Sequence, residues 1–315
     1  MKYRIGIDLG GTAIKAGVVD ENYQILAKRT IRTCPDFETA CREMGDLIKD
    51  LLQDMQISSS DLESVGIGTP GFINPESGLL VFSPNTQWHN VPLREELGKY
   101  IQVPIYAGND ANCAVIGEYL AGGGKGYDSV LMITLGTGVG GGIILNRKLF
   151  SGCDFMGTEF GHTPLVYNGQ RCGCGINGCF EAYGSVSALI RQTKHAMKQH
   201  PESSMNAWAS SHKGTVNGRT AFDCAKSGDP AALEVVDQYE SYVAYGISGF
   251  INIFRPEIVL IGGGISAEGD YLLKPIRQKL KKYVFAQDII GIPPVTHAKL
   301  GNAAGTIGAA FINQA

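Results

Sequence analysis

Short apolar runs alternate along this chain with longer amphipathic stretches. Three of the short runs, "YRIGIDLGG", "TAIKAGVVD" and "QILAKRTIRT", follow one another near the N-terminus. Only short turns separate them, so the pattern predicts three strands in an antiparallel meander. Apolar residues then recur at helical spacing between Phe37 and Met55, which predicts a helix.

The same alternation continues through the middle of the chain. "SVGIGTPG" and "VPIYAGND" are predicted buried strands, and "ANCAVIGEYLAGG" is a predicted helix after the second. "LMITLGTGVGGGIIL" then repeats the strand, glycine turn and strand of "IGIDLGGTAIKAGVV". The repeat is consistent with a duplicated domain that has a cleft between its halves, although many glycine hairpins resemble one another.

The C-terminal part is predicted to be mostly helical. Helices are expected at about 186–199, 219–227 and 231–254, and in "YLLKPIRQKLKKYV" and "NAAGTIGAAFINQ". "EIVLIGGGIS" is a predicted buried strand that ends in a third glycine turn. "QHPESSMNAWASSHKGTVNG" is the most loop-like stretch and is predicted to be an excursion, not a domain linker.

Composition limits the partners. The 315 residues suffice for two lobes, with 44% hydrophobic and 18% charged residues and a net charge of −3. No basic block suggests binding to nucleic acid or to an anionic membrane. No apolar run reaches the roughly 18 residues that span a bilayer, and the N-terminus lacks the features of a signal peptide. We therefore expect a cytoplasmic protein.

The three glycine turns have the chemistry of phosphate sites. Glycine lets backbone N–H groups approach an anion closely, and a nearby hydroxyl or ammonium adds contacts. "DLGGTAIK" is not a Walker A loop, and "GTGVGG" runs into a strand where a dinucleotide site would enter a helix. For any single turn, the alternative to phosphate binding is that glycine is present at the strand end for steric reasons alone. The candidate nucleotide-binding residues are Asp8, Gly10, Gly11, Thr12, Lys15, Thr137, Gly138, Gly263 and Gly264.

One His and three Cys lie close together in the sequence. His162, Cys172, Cys174 and Cys179 provide the imidazole and three thiolates that suit tetrahedral zinc. All four positions are then filled by protein, which favours a structural metal over a catalytic one. Free thiols near a core histidine are the alternative. The other five Cys, of eight in the chain, have no predicted role.

The motifs together resemble a known family. "DLGGTAIK" is similar to the first phosphate motif of the actin-like ATPase superfamily, and "LGTGVGGG" to the second. "EFGH" followed by "CGCGINGC" resembles the ROK family of bacterial sugar kinases, above all its glucokinases. The resemblance implies an α/β actin-like ATPase (ribonuclease H-like) fold with two lobes, a central cleft and a small zinc-binding element at 159–181. The expected lobes are 1–110, closed by a helix at about 303–315, and 111–302.

The resemblance also implies roles for individual residues. It places a zinc ion on the four Cys and His ligands, where one ring nitrogen of His162 binds zinc and the other faces the sugar. Glu159 and Glu181 would accept hydrogen bonds from sugar hydroxyls, and Asp8 would hold Mg²⁺ through water. The further sugar contacts that it implies are Gly71, Asn85 and Asn109, of which Asn85 lies in a loosely matching segment.

Asp110 is the candidate catalytic residue. A sugar hydroxyl needs a carboxylate within reach to take its proton during phosphoryl transfer. Asp110 follows a predicted strand in "AGNDAN", where ligands gather in such sheets. A helix N-cap is an equally common use of Asp, and the residues alone leave both open. The family carries its catalytic Asp in this motif.

The expected function is ATP-dependent phosphorylation of a hexose at its 6-hydroxyl, with glucose as the expected sugar. N-Acetylmannosamine, N-acetylglucosamine, fructose and allose remain alternatives, because residue types alone do not fix hydroxyl recognition. A sugar-sensing repressor is disfavoured, since the phosphate motif at Asp8 leaves no room for a preceding helix-turn-helix domain. A nucleic-acid-binding zinc module is disfavoured by charge. The expected cofactors are ATP, Mg²⁺ and structural Zn²⁺, and the family suggests a homodimer.

Overall fold

The computed structural model describes residues 2–314. Its strands are β1 Tyr3–Leu9, β2 Ala13–Val19, β3 Ile25–Arg32, β4 Leu62–Thr69, β5 Phe72–Asn74, β6 Leu79–Ser83, β7 Trp88–Val91, β8 Ile105–Asn109, β9 Val130–Leu135, β10 Val139–Leu145, β11 Lys148–Phe150, β12 Ile258–Gly262 and β13 Val295–His297. The sequence-based prediction of an α/β protein is confirmed.

The α-helices are α1 Phe37–Asp54, α2 Leu93–Gly98, α3 Asp110–Ala121, α4 Glu181–Gly184, α5 Val186–Gln199, α6 Ser204–Ser211, α7 Thr220–Lys226, α8 Pro230–Phe254, α9 Asp270–Leu280, α10 Gln287–Ile290 and α11 Ala303–Ala310. Among the described residues, none of these helices combines the length and apolar character that crossing a bilayer requires.

The chain divides into two compact units. The first unit runs from the N-terminus to Leu131 and adds Gly142–Thr158 and the stretch from Ala298 onwards. The second unit contains Met132–Gly141 and Glu159–His297. Each unit carries some of the residues that the sequence singled out, so the two are described separately below.

The sheet of the first unit brings three strand ends together. Its order is β3-β2-β1-β4-β8, with β1, β2 and β3 antiparallel as the meander predicted. β4 pairs in parallel with both β1 and β8. Parallel strands end at the same edge, so the sheet places Asp8 opposite Gly68, and Gly68 opposite Gly108, one residue before the end of each strand.

Glycine allows the last helix to lie directly on this sheet. A Cβ on Gly6 would stand 1.8 Å from the carbonyl oxygen of Thr306, and one on Gly66 would stand 1.7 Å from that of Ala309. The same helix, α11, approaches α3 at Gly308, where a Cβ would lie 1.6 Å from the carbonyl oxygen of Cys113. Such contacts exclude any side chain, which explains the small residues of "NAAGTIGAAFINQ".

A second sheet has the order β11-β10-β9-β12-β13, in which β12 and β13 are parallel. In the second unit the long helix α8 packs against α5, α7 and α9. Its Tyr239 is fully buried and donates a hydrogen bond to the carbonyl oxygen of Gly184, 2.9 Å away. Phe160 and Phe180 both pack against Phe250 of this helix.

Several short elements were not predicted from the sequence, among them α2, β11, α10, β13 and those described next. The stretch 199–218, predicted to be a loop, contains α6. Few apolar residues mark this helix, and it depends on a tertiary contact, since Asp229 accepts hydrogen bonds from the backbone and hydroxyl of Ser204. The three-stranded antiparallel sheet β5-β6-β7 was also missed, because its strands have only three to five residues.

Candidate active site

Two carboxylates meet at the strand ends of the first unit. Asp8 lies near the end of β1 and pairs with Lys15 of β2, the ammonium nitrogen being 3.1 Å from Oδ2. Asp110 is the first residue of α3, directly after β8. Burial raises the pKa of Asp110 above its ordinary value, and the negative charge of Asp8 raises it further. The two groups are therefore electrostatic neighbours, and Asp110 holds its proton more strongly than an exposed aspartate does.

The cap of α3 is the side chain of Asn109. Its Oδ1 accepts hydrogen bonds from the backbone N–H groups of Ala111 and Asn112, at 2.9 and 3.2 Å. Its Nδ2 donates to the carbonyl oxygen of Gly71 at 3.3 Å. Asp110 also accepts from Ala111, at 2.8 Å, through Oδ1. Because Asn109 already caps the helix, the sequence-based alternative that Asp110 is present only as a cap loses its main support.

The other candidate residues of the first unit surround the same strand ends. Gly71 has a φ of 97°, and a Cβ there would stand 2.0 Å from the carbonyl oxygen of Phe82, so this turn requires glycine. Asn85 packs against Gly11, whose Cβ would lie 2.8 Å from Cβ of Asn85. The hydroxyl of Thr33 donates to the carbonyl oxygen of Gly10 at 2.7 Å and braces the turn that contains Thr12.

In the second unit, a glycine turn is tied to a carboxylate. The turn joins β9 to β10, and the N–H of Gly136 bonds the carbonyl oxygen of Gly138 at 2.9 Å. Oε2 of Glu181 accepts from the N–H of Val139 at 3.0 Å. A Cβ on Gly138 would lie 2.3 Å from that oxygen, so a side chain there would displace the Glu181 carboxylate. Thr137, at the tip of the turn, is exposed.

The predicted metal ligands converge. One ligand atom from each of His162, Cys172, Cys174 and Cys179 lies within 4.8 Å of the others. Sγ of Cys172 is 3.8 Å from Nδ1 of His162, and Sγ of Cys174 is 3.6 Å from Sγ of Cys179. These separations match the edge of a tetrahedron, roughly 3.7 Å, around an ion with bonds of about 2.3 Å. The cluster is thus shaped to hold a tetrahedral metal ion, with Nε2 of His162 left for another partner.

Glu181 also contacts this cluster. Sγ of Cys172 donates to Oε1 of Glu181 at 3.4 Å. Burial raises the pKa of the Cys172 thiol to about 12, so a metal that binds here must displace a proton. Glu159 is exposed and directly precedes the 3₁₀ turn Phe160–His162, whose last N–H bonds the carbonyl oxygen of Glu159 at 3.0 Å.

The third glycine turn borders a cavity of about 540 Å³ in the second unit. Gly263 has a φ of 85°, and its Cβ position lies 2.2 Å from the carbonyl oxygen of Leu135, which makes glycine necessary. Of the residues predicted to bind nucleotide, Thr137 and Gly264 line the cavity together with Gly136, whereas Gly138 and Gly263 are not among its lining residues. The lining residues that sequence reasoning missed are Val186, Asn217, Gly218, Arg219, Asp223, Lys226, Ile265, Ala267 and Glu268. No local motif marks them, because they come from separate elements.

The structure therefore gathers the predicted residues into two groups. Asp8, Lys15, Asn109 and Asp110 lie at the strand ends of the first unit, with Gly10–Thr12, Gly71 and Asn85 around them. In the second unit, Glu181 connects the turn that contains Thr137 and Gly138 to the Cys and His cluster. Gly263, which precedes Gly264, packs against Leu135 at the start of the same turn. The first unit thus places two carboxylates, an ammonium and a glycine turn together, which are features that phosphoryl-transfer sites use, and the second unit holds a Cys and His cluster that fits a metal ion.

Comparison with known proteins agrees with this chemistry. The ROK family profile matches residues 4–315. Glucokinase of Thermotoga maritima is 39% identical over 311 residues, which are 98% of this chain and 96% of that protein. The xylose repressor of Caldicellulosiruptor bescii is 30% identical over 89% of this chain and 70% of its own length. The fold is also that of a ROK family glucokinase from Streptomyces griseus, solved in complex with glucose and AMPPNP. That structure has a TM-score of 0.83 and 34% identity, over 99% of this chain and 100% of that one.

The α/β architecture, shared with solved ROK kinases, is an actin-like ATPase fold. Within that class, the chain belongs to the ROK family.

Proposed function

We propose that this protein is an ATP-dependent hexose kinase that phosphorylates glucose at its 6-hydroxyl. The observation that carries the proposal is Asp110, a carboxyl of raised pKa at the strand ends beside Asp8 and its glycine turn. Similarity to the glucokinases of Thermotoga maritima and Streptomyces griseus over nearly the whole chain supports glucose as the sugar.

In the proposed reaction, Asp110 is the general base. It accepts the proton of the 6-hydroxyl while the new O–P bond forms and the bond between the γ-phosphorus and ADP breaks. Asn109, Gly71 and Asn85 would hold the sugar from the first unit. The cap that Asn109 provides fixes the start of α3, so it also fixes the backbone of Asp110.

The glycine turns are proposed to bind the phosphates of ATP. Gly10, Gly11 and Thr12 offer N–H and hydroxyl donors, and Lys15 adds positive charge. Thr137 and Gly138 offer the same from the second turn, and Gly263 and Gly264 lie where a nucleoside would enter the adjoining cavity. Mg²⁺ would bind near Asp8 and neutralise charge that develops on the phosphates.

The Cys and His cluster is proposed to hold structural zinc. Four protein ligands leave no position for a reactive water, so the metal would stabilise the segment 159–181. Nδ1 of His162 faces the thiols, which directs Nε2 away from them towards the sugar. Glu159 and Glu181 would accept hydrogen bonds from hydroxyls beside it.

We also propose that the protein forms a homodimer through an apolar face of the second unit. This face joins the second half of α8 to the segment 283–290. Rings of Tyr245 and Tyr283 pack at 5.1 Å, and Asn252 bonds the backbone of Tyr283 and Phe285. Its exposed apolar side chains are Tyr245, Ile253, Tyr283, Phe285, Ile289 and Ile290.

The size of this face favours a second copy of the chain as its partner. Phe285 is 81% exposed and Ile289 86%. Together the six side chains offer on the order of 700 Å² of exposed surface, close to the ~800 Å² that each partner contributes to a standard interface.

The dimer is tested by light scattering, which should give twice the mass of one chain. Ile289→Glu should give monomers, whereas Tyr167→Glu, at an apolar residue that is 93% exposed elsewhere, should not. Monomers at all concentrations of the unmodified protein would contradict the proposal.

The kinase function is tested by supplying ATP and Mg²⁺ with a panel of hexoses and measuring ADP release. We expect the highest kcat/KM with glucose and little ADP release without sugar. If kcat/KM is higher for N-acetylmannosamine, N-acetylglucosamine, fructose or allose than for glucose, the proposed mechanism stands and that sugar is the substrate. Similarity to the xylose repressor makes a sugar-responsive regulator the second candidate. Sugar binding without turnover of any hexose would support it.

A further inference from the structure

The cavity beside the third glycine turn has two walls of different composition. One wall consists of Gly264, Ile265, Ala267 and Glu268, of which Glu268 carries a charge. Helix α7 and the residues before it form the other, with Arg219, Asp223 and Lys226 on one face at helical spacing. All of these residues belong to the second unit.

The wall that contains α7 lies next to the proposed phosphate turn. The N–H of Val186 bonds the carbonyl oxygen of Gly136 at 2.8 Å. Gly218 lies against the same valine, because a Cβ on Gly218 would stand 2.8 Å from its Cγ1. Since α7 starts two residues after Gly218 and rises ~1.5 Å per residue, Asp223 lies about one turn further along the cavity wall and Lys226 about two.

An ion pair links the two walls of the cavity. The ammonium of Lys226 binds Oε2 of Glu268 and lies over the ring of Tyr271, 5.4 Å from its centroid. The Glu268 side chain is only 9% exposed. This carboxylate is therefore already neutralised and shielded, and it is poorly placed to accept hydrogen bonds from a ligand.

Asp223 is in a different position. Its side chain is 29% exposed and lines the cavity. Nε1 of Trp208 donates to its Oδ2 at 3.3 Å, and Nε of Arg219 is 3.8 Å from the same oxygen. Both contacts use Oδ2, so neither of them occupies Oδ1. Trp208 is itself held by stacking on His212, with ring centroids 3.7 Å apart and planes 9° apart.

We propose that Asp223 recognises the ribose of the nucleotide and that Trp208 is a positioning residue that holds this carboxylate in the cavity. With phosphates at Gly136–Gly138, the ribose comes next along the wall, at the level of Asp223. Vicinal 2′- and 3′-hydroxyls are donors, and a carboxylate accepts from them in a charge-assisted hydrogen bond. The inference rests on the proposed function, because it takes ATP as the occupant of the cavity.

The test uses the intact metal-loaded protein and compares ATP with 2′-deoxy-ATP and 3′-deoxy-ATP as phosphate donors. For the unmodified protein, we expect KM to rise about 10-fold for the deoxy donor whose hydroxyl Asp223 binds, at similar kcat, as loss of a hydrogen bond to a charged group predicts. Asp223→Ala should raise KM for ATP by a similar factor and abolish the difference between donors. Asp223→Asn, which preserves the shape, serves if the alanine variant folds poorly.

Trp208→Phe retains an aromatic ring to stack on His212 but removes the N–H donor together with part of the indole. It should reduce the discrimination between ATP and the deoxy donors, leave the hexose KM unchanged, and add nothing in the Asp223→Ala background. Glu234→Ala, at an exposed residue of α8, is the matched control and should behave like the unmodified protein. If Trp208→Phe changes the KM for ATP and the KM for hexose by the same factor, Trp208 has a purely structural role.

A second measurement separates this inference from the kinase function. Calorimetric titration with ADP, 2′-deoxy-ADP and 3′-deoxy-ADP needs no turnover. If the protein phosphorylates no hexose but binds ADP more tightly than one deoxy analogue, the kinase function is refuted and the inference about ribose recognition is retained. Equal affinity for all three nucleotides, or an unchanged ratio of KM values in Asp223→Ala, would overturn the inference about Asp223.

Discussion

The carboxylate of Glu181 accepts a hydrogen bond from the backbone N–H of Val139 at 3.0 Å. Its other oxygen accepts from the thiol of Cys172, one of the four clustered ligands. One side chain thus connects the metal cluster to the glycine turn at Gly136–Gly138. A metal that binds Cys172 displaces the thiol proton and with it the second of these contacts, while the contact with Val139 would remain.

This arrangement predicts how metal removal acts. We expect one zinc per chain, and we expect Cys174→Ser or chelation to release it. The hexose KM should then rise more than the ATP KM, since the ring of His162 loses the ion that fixes its orientation while the glycine turns keep their own backbone bonds. Elemental analysis and separate titrations with sugar and an ATP analogue measure both effects. Cys153→Ser, at an exposed cysteine outside the cluster, is the control. A larger loss for the nucleotide would contradict the prediction.

Asp110→Asn should lower kcat by about 10²–10⁴ with little change in sugar affinity, as expected when a general base is removed. The fold should survive, because an asparagine oxygen can still accept from the N–H of Ala111 and Asn109 still caps α3. Steady-state kinetics and thermal unfolding check the two parts. Asp46→Asn, at an exposed residue of α1, should match the unmodified protein. Turnover at the unmodified rate would show that Asp110 is only part of the helix start.

The pH dependence should report the environment of Asp110. A general base works when ionised, so activity falls as pH drops through its pKa. Burial and the charge of Asp8 raise that pKa above 3.8, so the acid limb of kcat/KM should lie at higher pH than an exposed aspartate would give. Asp8→Asn removes the repelling charge and should shift the limb to lower pH. An acid limb that does not move in this variant would argue against electrostatic coupling of the two residues.

Glu240 of α8 should make stability depend on pH. The residue is 3% exposed, and its Oε1 has no hydrogen-bond partner among the described residues. Burial raises its pKa from 4.5 to about 8, against the opposing charge of Lys279 and with that of Asp237. Below pH 4.5 the folded and unfolded chains both hold the proton. Between pH 4.5 and about 8 only the unfolded chain releases it, so the folded state loses stability as pH rises.

Glu240→Gln removes this ionisation. Its melting temperature should therefore exceed that of the unmodified protein by a margin that grows from pH 5 to pH 8 and then levels off. Glu234→Gln, on the exposed side of the same helix, should follow the unmodified protein at every pH. Parallel melting curves for Glu240→Gln and the unmodified protein across this range would rule out a contribution from residue 240.

The sequence by itself determined the elements whose hydrophobic pattern is long and regular. The helices at 37–54, 186–199 and 230–254 were predicted to within a residue or two, because many apolar positions repeat at one period. The strand and glycine-turn segments were predicted for the same reason. The metal ligands were also predicted, since their spacing is local. Helix α6 and the sheet β5-β6-β7 were not, because short elements carry too few apolar positions to show a period.

Only the tertiary structure decided which side chains act together. It gave the N-cap of α3 to Asn109, placed Asp8 close enough to raise the pKa of Asp110, and joined Glu181 to both Cys172 and Val139. Those residues lie on separate elements, and a sequence pattern records neighbours along a strand or helix, not across them. Asp223 was not predicted from the sequence for the same reason. Its proposed role depends on its contact with Trp208, fifteen positions away, and on the cavity that it shares with Gly136.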